Sequence, residues 1–481
     1  MKISHLIRHT AIYGLATVLP RVLNLLLTPL HTQGSTLTQE QYGVYQGLFA
    51  YMILGNVLLT YGMETTFFRF MNREEDPRRV AATTLTSLLV TTMGFLSVSL
   101  VGAETIATLL DYPVIYIKYA VWILALDTLV AIPFAWYRNE GKSLRYASIK
   151  IANVTLNLGL NLLFLLYFPR LAQQDKLPEV LTFTDNTQYI FLANLIASAF
   201  TLAVVLPLYR KIGLCWDYAL WKKLFRYAFP VLIAGIAFSV NEAFDRIFIR
   251  MLYPAGEADT VVGMYAGCYK MGVFMTLFIT AYKLGVEPFF FSSASDKKAP
   301  TTYAKVTTYF TIFSGGILLF VCVYIDLLKW LLIPNQAYWE GLQIVPFILL
   351  ANLCLGIYHS MSVWYKVTDR THWGAIISVI GGGITIVANL TLIPAIGYLG
   401  AAVATLLAYA GMMLISYWVG QYKYPVPYGK GVWGFLLLAV LLSAMVFYGF
   451  QRNLYVGTLC LISYAVLAFG YLRKQIRTGR S

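Results

Sequence analysis

Charge is scarce in this chain. Asp, Glu, Lys and Arg together make up 12% of its 481 residues, while 59% are hydrophobic. A soluble domain carries about twice that share of charge, so the surface does not face water and a soluble class is excluded. The net charge of +14 does not point to nucleic acid, because the basic residues are scattered through short connections instead of clustered on one polar face. Cysteine is scarce too: Cys215, Cys268, Cys322, Cys354 and Cys460 form no C-x-x-C pair, and the five histidines are dispersed, so neither a disulfide framework nor a metal site is expected. A glycine-rich phosphate loop is also missing. No cofactor is expected; the drive left open is an H+ or Na+ gradient, the membrane potential or the gradient of the cargo.

What is present is a series of apolar runs of about 20 residues, the length that crosses a bilayer as helix. They lie near 9–30, 43–62, 81–102, 114–136, 147–168 and 187–209, then 227–252, 262–282, 306–325, 341–364, 374–394, 397–420, 431–449 and 453–471. The expectation is an all-α integral membrane protein of fourteen helices. The first run, basic at its start and apolar in the middle, is interrupted by Arg21 and Asn24 and lacks an A-x-A site, so it reads as an uncleaved helix. If connections alternate sides, one side collects nearly all the basic residues, from Lys2 and Arg8 through Lys297 and Lys298 to Arg477 and Arg480. The other holds only Arg170, Lys176, Arg250, Lys329 and Arg452. By the positive-inside rule both termini are cytoplasmic.

The halves repeat. An offset of 220 brings Gly43, Val44 and Tyr45 onto Gly263, Met264 and Tyr265, and an offset of 228 brings Ala147 and Asn161 onto Ala375 and Asn389. Six helices separate the equivalents, so the repeat is parallel, an arrangement that suits alternating access around a central cavity. The expected division is an N-lobe at 1–210, a cytoplasmic linker at 211–226, a C-lobe at 227–420, and two extra helices with a basic tail at 421–481.

Four stretches carry a family resemblance: QYGVYQ at 41–46, Asp245-Arg246-Ile247, VGMYAGCYKMG at 262–272, and IPAIGYLGAAVATLLAY at 393–409. With the fourteen-helix count, they make the chain resemble the polysaccharide flippases of the multidrug/oligosaccharidyl-lipid/polysaccharide exporter superfamily. The resemblance implies a non-enzymatic transporter of the bacterial cytoplasmic membrane. Its implied cargo is undecaprenyl-pyrophosphate-linked oligosaccharide for surface polysaccharide or lipopolysaccharide, and a polysaccharide polymerase is an implied partner. Relatives that flip lipid II, or exchange cationic drugs for ions, are the alternatives. A membrane polymerase or ligase is disfavoured, because the longest outer connection, 169–186, is short and holds no catalytic pair beyond Asp175, Glu179 and Asp185.

The charges inside the spans are the candidate site, since intramembrane ionisable residues are costly and functional by default. Arg21, Arg246 and Lys270 are expected to hold the pyrophosphate, Arg through bidentate bonds and Lys as a point charge. Asn24, Asn241, Glu242 and Asp245 are expected as partners around them; Glu242 and Arg246 stand at i and i+4, the favourable order for an ion pair. The bland reading makes Glu242, Asp245 and Arg246 a packing network. Asp127 has no basic neighbour one helical turn away, and either takes up a coupling ion or pairs with a distant lysine. Lys118 and Lys150, near span ends, are expected to snorkel to the interface. Asn153, Asn157 and Asn161 form a stripe for helix packing or for sugar hydroxyls. Glu64 and Glu287 end helices two and eight, as an inner gate or as solvated ends.

Overall fold

A computed structural model describes residues 3–71, 73–172, 174–293, 296 and 298–477, except for the side chains at 3–13, 15–17, 180, 288, 291, 292, 476 and 477. Lys2, Lys297 and Arg480 of the basic tally lie outside what is described, as do the side chains of Arg8 and Arg477. Among the described residues there are fourteen long helices in the expected order, and no strand. They are α1 (Ile3–Thr32), α2 (Gln39–Met71), α3 (Pro77–Val101), α4 (Val114–Asn139), α5 (Ser143–Ala172), α6 (Thr187–Ile212) and α7 (Tyr218–Leu252). The rest are α8 (Ala258–Glu287), α9 (Ala299–Val323), α10 (Gln336–Val367), α11 (His372–Ile396), α12 (Tyr398–Lys423), α13 (Lys430–Gly449) and α14 (Leu454–Gln475). The 13 helices α2 to α14 are long and apolar enough to cross a membrane, and α1 adds 30 residues. Hydrocarbon offers no partner for a bare N–H or C=O, so each crossing segment closes its own backbone bonds as helix.

Local chemistry sets the ends. Thr38 and Gln41 form a reciprocal cap at the start of α2, with Thr38 Oγ1 accepting at 3.1 Å and Gln41 Oε1 at 2.9 Å. Asp76 accepts the N–H groups of Arg78 and Arg79 ahead of α3, whose first residue is Pro77. Two helices outrun the expectation. α2 passes residue 62 through a break at Tyr61 (φ 31°) and Gly62 (φ 73°), a left-handed step that glycine makes without strain, and resumes as Met63–Met71. α7 begins at Tyr218 instead of 227, because Asp217 caps it by accepting from Leu220 N at 3.1 Å and is itself held by Arg79 at 2.7 Å. The linker expected at 211–226 therefore shortens to a connection at 213–217.

The chain forms two compact units, Met1–Gly263 and Met264–Ser481. The sequence placed its division at the linker, whereas here α7 counts with the first unit. There Ala243 and Ile247 of α7 bury against Ala50 of α2. Polarity is inverted relative to a soluble protein. Val98, Val101, Leu331 and Phe469 are exposed, while Thr83, Thr84 and Ser87 of α3 and Thr307, Thr311 and Ser314 of α9 are buried. Small hydroxyl residues suit interiors of this kind, because they let helices approach closely and return their own O–H to a carbonyl four residues back. Thr84 does so to Val80 at 2.9 Å, and Thr307 to Tyr303 at 2.8 Å.

The duplication is written into local structure. α3 has 25 residues and is followed by the 8-residue helix Ala103–Leu110; α9 has 25 and is followed by the 8-residue helix Ile325–Leu332. Asn161 and Asn389, matched at offset 228, are both buried, and each donates to the carbonyl four residues back, at 2.9 and 2.7 Å. Gly43 and Gly263 meet backbone to backbone at the starts of α2 and α8. A β-carbon on Gly43 would lie 1.7 Å from Asp259 O, and one on Gly263 would lie 2.0 Å from Gln39 O. Gln39 and Asp259 are themselves related by the same offset, so the contact is self-complementary, as a local twofold axis requires.

Gly43→Ala is expected to lower stability by about 1–3 kcal/mol or more, whereas Gly94→Ala, where a β-carbon meets nothing within 4 Å, is neutral or slightly stabilising. Thermal unfolding of the purified protein in detergent, with the two variants side by side, checks this.

Candidate functional site

The densest intramembrane charge lies in the first unit, on α1 and α7. Arg246 and Asp245 are buried, 7% and 4% exposed, and Asn241 one turn earlier is buried as well. Asp245 Oδ1 accepts the Arg246 N–H at 2.8 Å. Glu242 lies within electrostatic reach of Arg21, Arg246 and Asp245, and Tyr45 of α2 lies within reach of Arg246. Glu242, Arg21 and Asn24 are all exposed, although each sits well inside its helix. A charge inside an apolar helix is costly unless it is wetted or paired, and Arg21 and Glu242 lie near enough to offset each other. The sequence grouping of Arg21, Glu242, Asp245 and Arg246 is thus brought together, with Asn241 beneath and Asn24 a turn along α1. Lys270 belongs to the second unit, where it is half-buried and opens a single 3-10 turn, Lys270–Gly272, inside α8.

Asp127 sits elsewhere, in a cavity of about 420 Å³ within the first unit, lined from α2, α4, α5 and α6. Ser198 is within hydrogen-bonding reach of its carboxylate, and Lys150 faces it electrostatically. Lys150, expected to snorkel outward, turns into this cavity, where its ammonium lies 4.8 Å from the centroid of the Phe134 ring. Lys150, on the next helix, is thus the lysine that faces Asp127 in this cavity.

The asparagine stripe is used for stitching. Asn153 donates to Ala197 O at 2.9 Å and to Thr201 Oγ1 at 2.8 Å, and Asn157 donates to Asn194 Oδ1 at 2.8 Å, which ties α5 to α6. Asn161 Oδ1 meets His31 Nε2 at 3.0 Å, which ties α5 to α1. Glu64 and Glu287 each pair inside their own unit, with Arg138 and with Lys366, both at 2.6 Å. The two pairs join α2 to α4 and α8 to α10, so they occupy equivalent places in the repeat. With side chains about 40% exposed, the carboxylates are worth little to stability.

Sequence reasoning missed Arg250. Its Nε donates to Asp259 at 2.7 Å, its two terminal nitrogens donate to Leu110 O and Asp111 O at 2.5 Å, and its guanidinium lies 3.8 Å from the centroid of the Tyr112 ring. The arginine thus joins the end of α7 to the start of α8 and to the turn before α4. Its basic charge on an otherwise charge-poor side was the only signal, and it carried no partner.

A chain of fourteen long helices, internally duplicated and with charged residues inside the helices, is of the class of multi-spanning membrane proteins. Residues 6–293 match the model of a family described as "Polysaccharide biosynthesis protein"; the chain belongs to that family. The fold is similar to that of "Lipid II flippase MurJ, inward closed conformation", at 14% identity and TM-score 0.70, covering 96% of this chain and 99% of that one. It is also similar to the inward-facing conformation of a multidrug resistance MATE transporter of the MOP superfamily, at 12% identity and TM-score 0.62, over 86% and 94% of the two chains. The outward-facing conformation of a MATE transporter gives 11% identity and TM-score 0.59, over 87% and 95%. At such identities the likeness concerns the fold. No curated protein matches the chain.

Lys150→Met alone strands the Asp127 charge in its cavity, so it is expected to destabilise more than Asp127→Asn and Lys150→Met combined. A double-mutant cycle by thermal unfolding should give a coupling of about 1 kcal/mol or more; strict additivity would show that the two groups do not sense each other.

Proposed function

We propose that the protein is a flippase that carries a polyprenyl-pyrophosphate-linked oligosaccharide from the inner to the outer leaflet of the bacterial cytoplasmic membrane, with both of its own termini cytoplasmic. The family description supports a place in polysaccharide biosynthesis. The observation that carries the cargo chemistry is the charge cluster of α1 and α7, in which exposed Arg21 and Glu242 adjoin buried Arg246 and Asp245. A pyrophosphate offers the negative charge and acceptor oxygens that arginine engages most strongly.

In this reading Arg21 and Arg246 receive the pyrophosphate. Glu242 and Asp245 keep the arginines neutralised and oriented while the site is empty, which limits the cost of holding cations inside the membrane. The sugar crosses through a polar interior by alternating access while the polyprenyl tail stays in lipid. An ion gradient drives the cycle, with Asp127 as the carboxylate that takes up H+ or Na+. The flipped glycan then becomes available to a polymerase at the outer face.

A second reading, lipid II as cargo, is favoured by the MurJ-like fold and uses the same pyrophosphate chemistry. Exchange of cationic drugs, suggested by the MATE-like fold, fits less well, because arginines inside the helices repel such a cargo.

Deleting the gene in its host and analysing the lipid-linked glycans tests the reading. Accumulation on the cytoplasmic side of one polyprenyl-pyrophosphate oligosaccharide, relieved by the intact gene, is expected. Accumulation of lipid II selects the second reading, and new sensitivity to cationic drugs with no glycan accumulating overturns both. Arg246→Ala is expected to reduce export roughly tenfold or more, the loss of one charge-assisted hydrogen bond, and Arg246→Lys is expected to retain part of it. Equal export by the two variants would remove Arg246 from anion binding.

A further inference from the structure

The second unit holds a groove of about 470 Å³ that none of these roles uses, walled by the first turns of α9, the connection before α13 and the end of α14. From Lys298, the residue that precedes α9, Thr301, Thr302 and Lys305 follow at spacings of three, four and seven, so the start of the helix presents two ammonium groups with hydroxyls between them. Tyr309 continues that face, and Tyr471 and Gln475 of α14 line the groove with it; Gln475 Nε2 donates to Tyr471 Oη at 3.1 Å. Among the described residues neither lysine makes an ion pair. The nearest carboxylate in sequence, Asp296, accepts the Lys298 N–H at 2.9 Å and does not line the groove. The positive end of the α9 dipole adds to the same field.

Farther along α9 the face turns apolar and open. Phe313, four residues beyond Tyr309, is 58% exposed, and Phe320 is 44% exposed. The groove is therefore cationic and hydroxyl-rich at one end and continuous with an exposed apolar surface at the other. A soluble anion needs only the first feature, while a membrane lipid with an anionic head needs both.

We propose that this groove is a binding site for an anionic phospholipid of the surrounding leaflet, its phosphate held by Lys298 and Lys305 and its acyl chains laid along Phe313 and Phe320. The leaflet is the cytoplasmic one if the orientation under Proposed function holds; the binding itself is independent of what the protein transports. Lysine is suited to this task, because a flexible stem and a compact charge follow a mobile head group that a rigid bidentate fork does not.

The test is native mass spectrometry of the full-length protein in neutral detergent, titrated with phosphatidylglycerol, phosphatidylcholine or polyprenyl phosphate, with inorganic phosphate as competitor. Phosphatidylglycerol is expected to bind more tightly than phosphatidylcholine. The double variant Lys298→Gln/Lys305→Gln is expected to weaken it about twenty-five-fold, about fivefold per lysine, while Lys298→Arg/Lys305→Arg largely retains it. Lys222→Gln/Lys223→Gln on α7 is the charge-matched control and is expected to leave binding unchanged. Equal losses in the glutamine variant and the control would overturn the site. Displacement by inorganic phosphate at matched concentration would overturn the lipid assignment, and tighter binding of polyprenyl phosphate would overturn the choice of a resident phospholipid.

Discussion

The structure depends on one constraint: a charge or a bare peptide group inside hydrocarbon must be wetted, paired or removed. Backbone groups meet it by closing into fourteen helices. Side chains meet it by discarding charge almost everywhere, which leaves hydroxyls and amides to join helices and keeps ionisable groups to a few places. Each of those places solves the problem differently. Arg250 is enclosed by a carboxylate, two carbonyls and an aromatic face. Asp127 and Lys150 share a polar cavity. Arg21 and Glu242 stay exposed inside their helices, within electrostatic reach of each other.

Duplication economises on the same constraint. A six-helix plan that satisfies it once can be used twice, and the second use carries equivalent solutions at equivalent positions. Glu64 pairs with Arg138 as Glu287 pairs with Lys366, and Gly43 meets the start of α8 as Gly263 meets the start of α2. The halves then diverge where roles differ. The first unit holds the Asp127 cavity, and the second has the cationic groove beside α13 and α14. Sequence offsets identified the glycines and Asn389. They did not identify the paired carboxylates as equivalents, because Glu64 and Glu287 are separated by 223 residues, which neither offset matches.

Much of the site was legible as a list and little of it as an arrangement. Arg21, Arg246, Asp245 and Glu242 were legible because a charge in an apolar run stands out without any knowledge of neighbours. That Lys150 faces Asp127 was not legible, because Lys150 lies on the following helix and looked like a residue that would reach for the interface. The asparagine stripe was visible as a period, yet its partners Thr201, Asn194 and His31 come from two other helices. Arg250 gave no sign of its role, since the carbonyls of Leu110 and Asp111 that it binds are backbone atoms and leave no trace in residue type.

The sequence by itself determined the helices, their order and the repeat, because length, apolarity and period are properties of contiguous residues, and the bilayer leaves helix as the only open solution. Only the tertiary structure decided where α7 begins, which unit it joins, and which intramembrane charges are exposed, paired or enclosed. Those outcomes depend on which faces of distant helices meet, and neither composition nor spacing along one chain specifies that.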